Sequence, residues 1–105
     1  MSIHVVVMGV AGCGKSTVAE AIHERLGYMY AEGDDFHPQA NIDKMSAGIP
    51  LTDEDRWPWL KVINTWMVAR EALDENTVVS SSALKRSYRE VLAQNVPTFF
   101  VHLTG

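Results

Sequence analysis

The run GVAGCGKST, Gly9 to Thr17, constrains this chain more than any other segment. It fits Gly-x-x-x-x-Gly-Lys-Ser and follows directly on the apolar residues Ile3 to Met8. A buried strand, a tight glycine turn and a helix whose first amides face an anion are the parts of a phosphate-binding loop. Gly9, Gly12 and Gly14 let the backbone wrap closely round a polyphosphate, where a Cβ would collide. Val10, Ala11 and Cys13 complete the loop, and Thr17 follows it into the helix. Lys15 supplies a point charge for the β- and γ-phosphates, and the Ser16 hydroxyl is placed to bind Mg²⁺. A glycine-rich turn that binds nothing is the competing reading, but the flanking strand and helix signals are those the phosphate-binding mechanism requires. Cys13 reads as a spacer, although a thiol at a helix N-terminus can have a depressed pKa and oxidise.

Composition narrows the partners. A chain of 105 residues suffices for one small α/β domain, 1–105, and its 47% hydrophobic content supports a core rather than disorder. The net charge is −4 and no basic cluster is long enough to track a nucleic-acid backbone, which argues against a nucleic-acid partner. A single cysteine cannot form an internal disulfide and suits the reducing cytoplasm. No apolar stretch reaches membrane-spanning length, and the first residues lead into a strand rather than a secretory signal.

Strand and helix signals alternate along the chain. The first strand spans Ile3 to Met8, apolar almost throughout, as in a strand buried on both faces. A helix runs from Lys15 to Leu26 with Val18, Ile22 and Leu26 on one face and Gly27 ending it. Tyr28 to Ala31 reads as a second strand. Glu32 to Asp55 is polar and turn-rich, with a short helix after Pro38. A long helix begins near Asp55 or Arg56, which puts Pro58 in its first turn and Trp59, Ile63, Trp66 and Leu73 on its apolar face. Thr77 to Ser80 is a third strand, Leu84, Tyr88, Val91 and Leu92 mark a further amphipathic helix, and Pro97 precedes a fourth strand, Thr98 to Leu103. The alternation predicts a parallel sheet covered by helices, with ligands beyond the carboxyl ends of the strands. The strand-end segments Gly9–Ser16, Glu32–His37 and Ser80–Arg86 are polar, charged or glycine-rich and should converge on one cleft. The chain ends just after the fourth strand, at Thr104 and Gly105, so that strand is expected at an open edge, and the fold reads as C-terminally truncated.

The cleft favours a small-molecule kinase over a motor or a GTPase. The third strand ends in Ser80-Ser81-Ser82 with no Mg²⁺-binding Asp, and no Asn-Lys-x-Asp guanine-reading motif occurs. The strand-end carboxylates are Glu32, Asp34 and Asp35. A kinase needs a carboxylate to position the acceptor hydroxyl and take its proton. Asp34 is assigned that role and Glu32 a water around Mg²⁺; a solvated acidic turn is the alternative. Arg56 suits a substrate carboxylate or a surface ion pair with Asp53 or Glu54. Lys85 and Arg86 suit the cleft or an ordinary charged surface. His37 suits a cap on the short helix or a contact with a substrate hydroxyl. His4, His23 and His102 lack metal-ligand spacing. Trp57, Trp59 and Trp66 read as packing residues, one of which could wall the substrate pocket.

The stretch GDDFHPQANIDKMSAGIPLTDEDRWPWL, Gly33 to Leu60, resembles the gluconokinases, as do SALKRSYRE, Ser82 to Glu90, and the following FFVHLTG. With the phosphate loop, the resemblance covers essentially the whole chain. It implies a three-layer P-loop NTPase fold of the mononucleotide and shikimate-kinase type, with a substrate-binding segment at about 32–60. It implies ATP-dependent phosphorylation of D-gluconate on its 6-hydroxyl, with Mg²⁺, and cytoplasmic carbohydrate metabolism. Gly12, Gly14, Lys15, Ser16 and Thr17 carry over as the phosphate and metal site, and Asp34 as the residue holding the acceptor hydroxyl. Arg56 carries over as the partner of the sugar-acid carboxylate, with Lys85 and Arg86 in the SALKR segment. Members are often dimers, which leaves a homodimer open. They also continue past the HLTG-like segment into a lid and an adenine-binding region, so this chain alone is expected to turn over poorly. A noncatalytic nucleotide- or sugar-acid-binding module and a shikimate-type kinase are the alternatives.

Overall fold

The computed structural model describes residues 2–9, 14–82 and 85–103. Val10, Ala11, Gly12 and Cys13 of the phosphate loop, Leu84 of the predicted fourth helix, and Thr104 and Gly105 lie outside the described residues. The elements run β1 (His4–Gly9), α1 (Lys15–Leu26), β2 (Met29–Glu32), a 3-10 turn (Gly33–Phe36), α2 (Gln39–Ser46), α3 (Asp53–Ala72), β3 (Thr77–Ser82), α4 (Arg86–Leu92) and β4 (Thr98–Leu103). The four strands form one parallel sheet in the order β2-β3-β1-β4.

Register sets the two faces of this sheet. Val6 of β1 pairs with Val79 of β3 and Phe100 of β4. On that face Val6, Met8 and Val79 pack with Trp59, Leu60, Ile63 and Met67 of α3 and with Tyr88 and Leu92 of α4. On the other face Val7 and Val78 are buried against Ala19 of α1, with Val18, Ile22 and Tyr30 only partly covered. The even apolar run of β1 is therefore used on both sides, as a central parallel strand requires. Buried His4 is satisfied within this frame: Nδ1 meets Thr77 Oγ1 at 2.7 Å and Nε2 meets Glu71 Oε2 at 2.7 Å.

Several boundaries differ from the sequence reading. The long helix starts at Asp53, because Thr52 and Asp55 close a reciprocal capping box: Asp55 N donates to Thr52 Oγ1 and Thr52 N to Asp55 Oδ2. Pro58 consequently lies beyond the first turn, where its missing N–H removes the usual donor to the carbonyl of exposed Glu54. The buried stripe of α3 is Trp59, Leu60, Ile63 and Met67; Trp66 is half-buried and Leu73 is 62% exposed. On α1, Leu26 is 63% exposed rather than part of a buried stripe. β2 runs one residue later than predicted, which places Glu32 in the strand, and β3 extends to Ser82. β4 is an edge strand with Phe99 and Val101 exposed.

Candidate active site

The phosphate side is built where β1 gives way to α1. Gly14 occupies the N-cap position with φ +84°, a left-handed conformation that favours glycine. Gly14 has no side chain to cap the helix, and among the described residues no side chain takes its place, so the first-turn amides at Lys15, Ser16 and Thr17 suit an anion. Lys15 and Ser16 are half-buried and Thr17 is exposed. Gly9 ends β1 and is buried.

Glu32 stands beside this helix start at the end of β2. Its carboxylate accepts from Ser16 Oγ at 3.0 Å, from Ser80 Oγ at 2.7 Å and from the Tyr30 hydroxyl. Burial alone would raise the Glu32 carboxyl, but the three hydroxyl donors and the Lys15 charge together hold it below the ordinary carboxylate range. Burial, with Glu32 alongside, pushes the Tyr30 phenol upward, so Tyr30 stays a donor. Among the described residues no cluster of three or more His, Cys, Asp or Glu could hold a metal unaided. The donors present are a hydroxyl and one ionised carboxylate. Such a hard, sparse oxygen set fits Mg²⁺, which keeps several waters and borrows phosphate oxygens.

The next residues turn sharply into the acceptor side. Gly33 is required there, because a Cβ would fall 2.6 Å from the backbone oxygen of Ser80. Trp59 Nε1 donates to Gly33 O at 2.8 Å and ties the turn to α3. Asp34 and Asp35 follow, both exposed. Asp34, His37, Arg56 and Trp59 line one cavity of about 390 Å³, walled further by the loop around Ile49 and Leu51. The His37 ring stacks on Trp59, with centroids 4.3 Å apart and planes 14° from parallel. Burial drives the His37 pKa below its usual value; Asp34 opposes this and Arg56 adds to it.

Of the residues singled out in the sequence, Asp34, His37 and Arg56 share this cavity, and Ser16 and Glu32 share a hydrogen bond. Arg56 donates to the Tyr88 hydroxyl at 3.3 Å, while Tyr88 donates to Asp53. Lys85 and Arg86 are not among the residues lining this cavity. Lys85 pairs with Asp53 at 3.0 Å above the Tyr88 ring, and Arg86 pairs with Glu90 at 3.4 Å on an exposed helix face. The Tyr88 hydrogen bond and then Lys85 hold Asp53 below its usual range, so this carboxylate stays ionised. His37 forms no side-chain cap on α2.

Three supporting residues escaped the sequence reading. Asn41 is buried and bridges Asp55 O and His37 Nδ1. Lys44 and Asp55 form a bidentate pair, 2.9 Å on each oxygen. The Thr52 amide and then Lys44 lower the Asp55 carboxyl to about 2. The capping-box spacing Thr52-x-x-Asp55 was the available signal for Asp55; nothing local marks Asn41.

A parallel sheet, Gly14 opening α1 shortly after β1, and an acidic turn at the end of β2 fit an α/β P-loop kinase fold. No family model matches the chain. It is 50% identical over 99 residues to a gluconokinase of Gluconobacter oxydans, an alignment covering 93% of this chain and 56% of that protein. A gluconokinase structure from Sinorhizobium meliloti superposes with TM-score 0.85 at 56% identity, over 97% of this chain and 57% of the other. A sugar kinase from Janibacter superposes with TM-score 0.93 at 50% identity, over 100% of this chain and 61% of the other. The chain belongs to the gluconokinase family, and it spans about half the length of the curated relatives it matches.

Proposed function

We propose that this chain carries the phosphate-gripping and sugar-acid-binding parts of a cytoplasmic gluconate kinase, which converts ATP and D-gluconate to ADP and 6-phospho-D-gluconate. One observation supports the reading above all: Asp34 and Arg56 face a single cavity from different elements, one turn away from the Ser16–Glu32 pair. A polyol with a carboxylate at one end needs an arginine at that end and a carboxylate beside the reacting hydroxyl at the other. Arg56 would take the gluconate carboxylate, while His37, stacked on Trp59, would lie against the polyol. Asp34 would orient the 6-hydroxyl and accept its proton as the oxygen attacks the terminal phosphorus; the bond from phosphorus to the bridging oxygen breaks and ADP departs. Lys15 and the amides from Gly14 to Thr17 would hold the phosphates in line. Ser16 Oγ would ligate Mg²⁺, and Glu32 would hold one of its waters. Bound Mg²⁺ supplies charge neutralisation on the phosphate oxygens.

The test is gluconate-dependent ADP release. Asp34→Asn should lower turnover by about 100-fold or more while leaving Mg-ATP binding unchanged, the usual scale for losing a positioned general base. Unaltered turnover removes Asp34 from the chemistry. Arg56→Ala should mainly raise the KM for gluconate, and an unchanged KM would place the sugar carboxylate elsewhere.

A further inference from the structure

We infer that Asn41 fixes His37 as a neutral imidazole with its proton on Nε2, and so makes His37 a hydrogen-bond donor to the sugar acid rather than a base. The argument is a count of hydrogens on one nitrogen. Asn41 Nδ2 lies 2.9 Å from the backbone oxygen of Asp55 and 3.1 Å from His37 Nδ1. A backbone carbonyl can only accept, so the atom facing Asp55 must be the amide nitrogen, which settles the orientation of the Asn41 side chain. An NH₂ group has two hydrogens. One goes to Asp55 O, and the other points at His37 Nδ1, which must then present a lone pair. The proton of the neutral ring is left on Nε2.

The surroundings keep that state. Asn41 is 3% exposed, so water does not compete for its amide. Stacking on Trp59 fixes the ring plane. Protonating Nδ1 would set two N–H groups against each other, and a hydrogen bond donated to the neutral ring disfavours the charged one. Of the charged groups on the turn, α2 and α3, Asp34 and Arg56 act on the ring, and Lys44 and Asp55 pair beside Asn41. Lys44 and Asp55 neutralise each other. Asp34 favours protonation of His37 and Arg56 opposes it. Nε2 has no partner among the described residues, while His37 lines the cavity.

The consequence deepens the proposed function and rests on it for the identity of the ligand. Two groups near the cavity could in principle take the acceptor proton, Asp34 and His37. With Nδ1 occupied and Nε2 already protonated, only Asp34 can. His37 offers one N–H of fixed direction, suited to an oxygen along the polyol or at its carboxylate. Asn41 is thus a positioning residue: it never meets the substrate but sets which atom of His37 does.

The test is long-range ¹H–¹⁵N spectroscopy of the histidine rings of the 105-residue chain, with the His37 signals assigned by His37→Asn. The expected result is a pyrrole-like Nε2 and a pyridine-like Nδ1 across neutral pH, with His37 titrating below an ordinary histidine. Asn41→Ala should give a mixture of tautomers and raise the pKa. Asn41→Asp, whose carboxylate can only accept, should move the proton to Nδ1. A protonated Nδ1 in the unmodified chain overturns the assignment, whether or not either variant folds. So does a tautomer and pKa left unmoved by Asn41→Ala, since a merely structural Asn41 would change neither. Gluconate is then added. It should shift Nε2, and Asn41→Ala should weaken its binding roughly tenfold, the worth of one misdirected hydrogen bond. If gluconate moves the Arg56 and Trp59 side-chain signals but not Nε2, the donor role fails. If it moves none of them, the sugar-acid reading of the cavity fails instead, and the tautomer result stands apart from it.

Discussion

The two faces of the sheet are unequally built. Toward α3 and α4, strand residues Val6, Met8 and Val79 meet a continuous buried layer that includes Trp59, Leu60, Ile63, Met67, Tyr88 and Leu92. Toward α1, the buried layer is Val7, Val78 and Ala19, and the rest of the contact is partly covered. A mostly apolar groove lined by Val18, Ile22 and Leu26 of α1 stays open. The two halves of the site rest on these different supports. The acceptor cavity sits on the deep layer, through Trp59, which is both a core residue and a cavity wall. The phosphate side depends on α1, whose hold on the sheet is the shallow one. Precise placement of a substrate calls for rigid support, whereas an anion-binding helix end works through backbone amides and charge, which tolerate a thinner anchor.

The largest effect should come from the deep layer. Leu60→Ala removes a fully buried side chain from between α3 and the sheet. It should cost about 2–5 kcal/mol of unfolding free energy in a denaturant titration, enough to unfold a marginal domain of this size. A cost below about 1 kcal/mol would mean that this layer does not carry the fold. Next is Gly33→Ala, at the join between the two sides. The added methyl meets the Ser80 carbonyl at 2.6 Å, a backbone atom that cannot swing away. The turn must shift, at about 1–3 kcal/mol. Because the same turn carries Asp34 and is tied to Trp59, gluconate affinity should fall with stability while ATP affinity is spared. Equal losses for both ligands would show that the two sides move as one body.

The legible parts of the fold are those with a local cause. Gly14 and Gly27 bracket α1, and the sequence reading placed that helix at the observed Lys15–Leu26. Pro97 and the β-branched and aromatic run after it set β4 at Thr98–Leu103. The sequence reading starts α3 near Asp55 or Arg56, with Pro58 in the first turn, whereas the Thr52–Asp55 capping box begins the helix at Asp53. Of the apolar face expected for α3, Trp59 and Ile63 are buried and Trp66 packs partly on the core, while Leu73 is exposed and Leu60 and Met67 complete the buried stripe. In the site, Asp34, Glu32, Ser16 and Arg56 could be singled out because each follows a strand end or opens a helix. Asn41 could not, since its meaning lies in contacts with Asp55 on another helix and with a ring four residues away. Lys85 reads from sequence either as a cleft residue or as ordinary surface charge, and its ion pair with Asp53 depends on the packing of α4 on α3, which no local pattern shows.

The smallest expected effect sharpens the comparison most. Leu26→Ala is the same chemical change as Leu60→Ala, made on the opposite side of the sheet. Leu26 is 63% exposed, so little transfer free energy is lost and no cavity is left. Alanine is also the better helix former, which offsets part of the remainder. The cost should stay within about 0.5 kcal/mol, the range of ordinary surface substitutions. The pair thus works as an internal control, because side-chain identity and the residue introduced are held constant and only the supporting layer differs. A cost for Leu26→Ala approaching that of Leu60→Ala would mean that the α1 groove is covered in solution. Dependence of that cost on protein concentration would then identify a second copy of the chain as the cover, since only an association equilibrium makes stability vary with concentration.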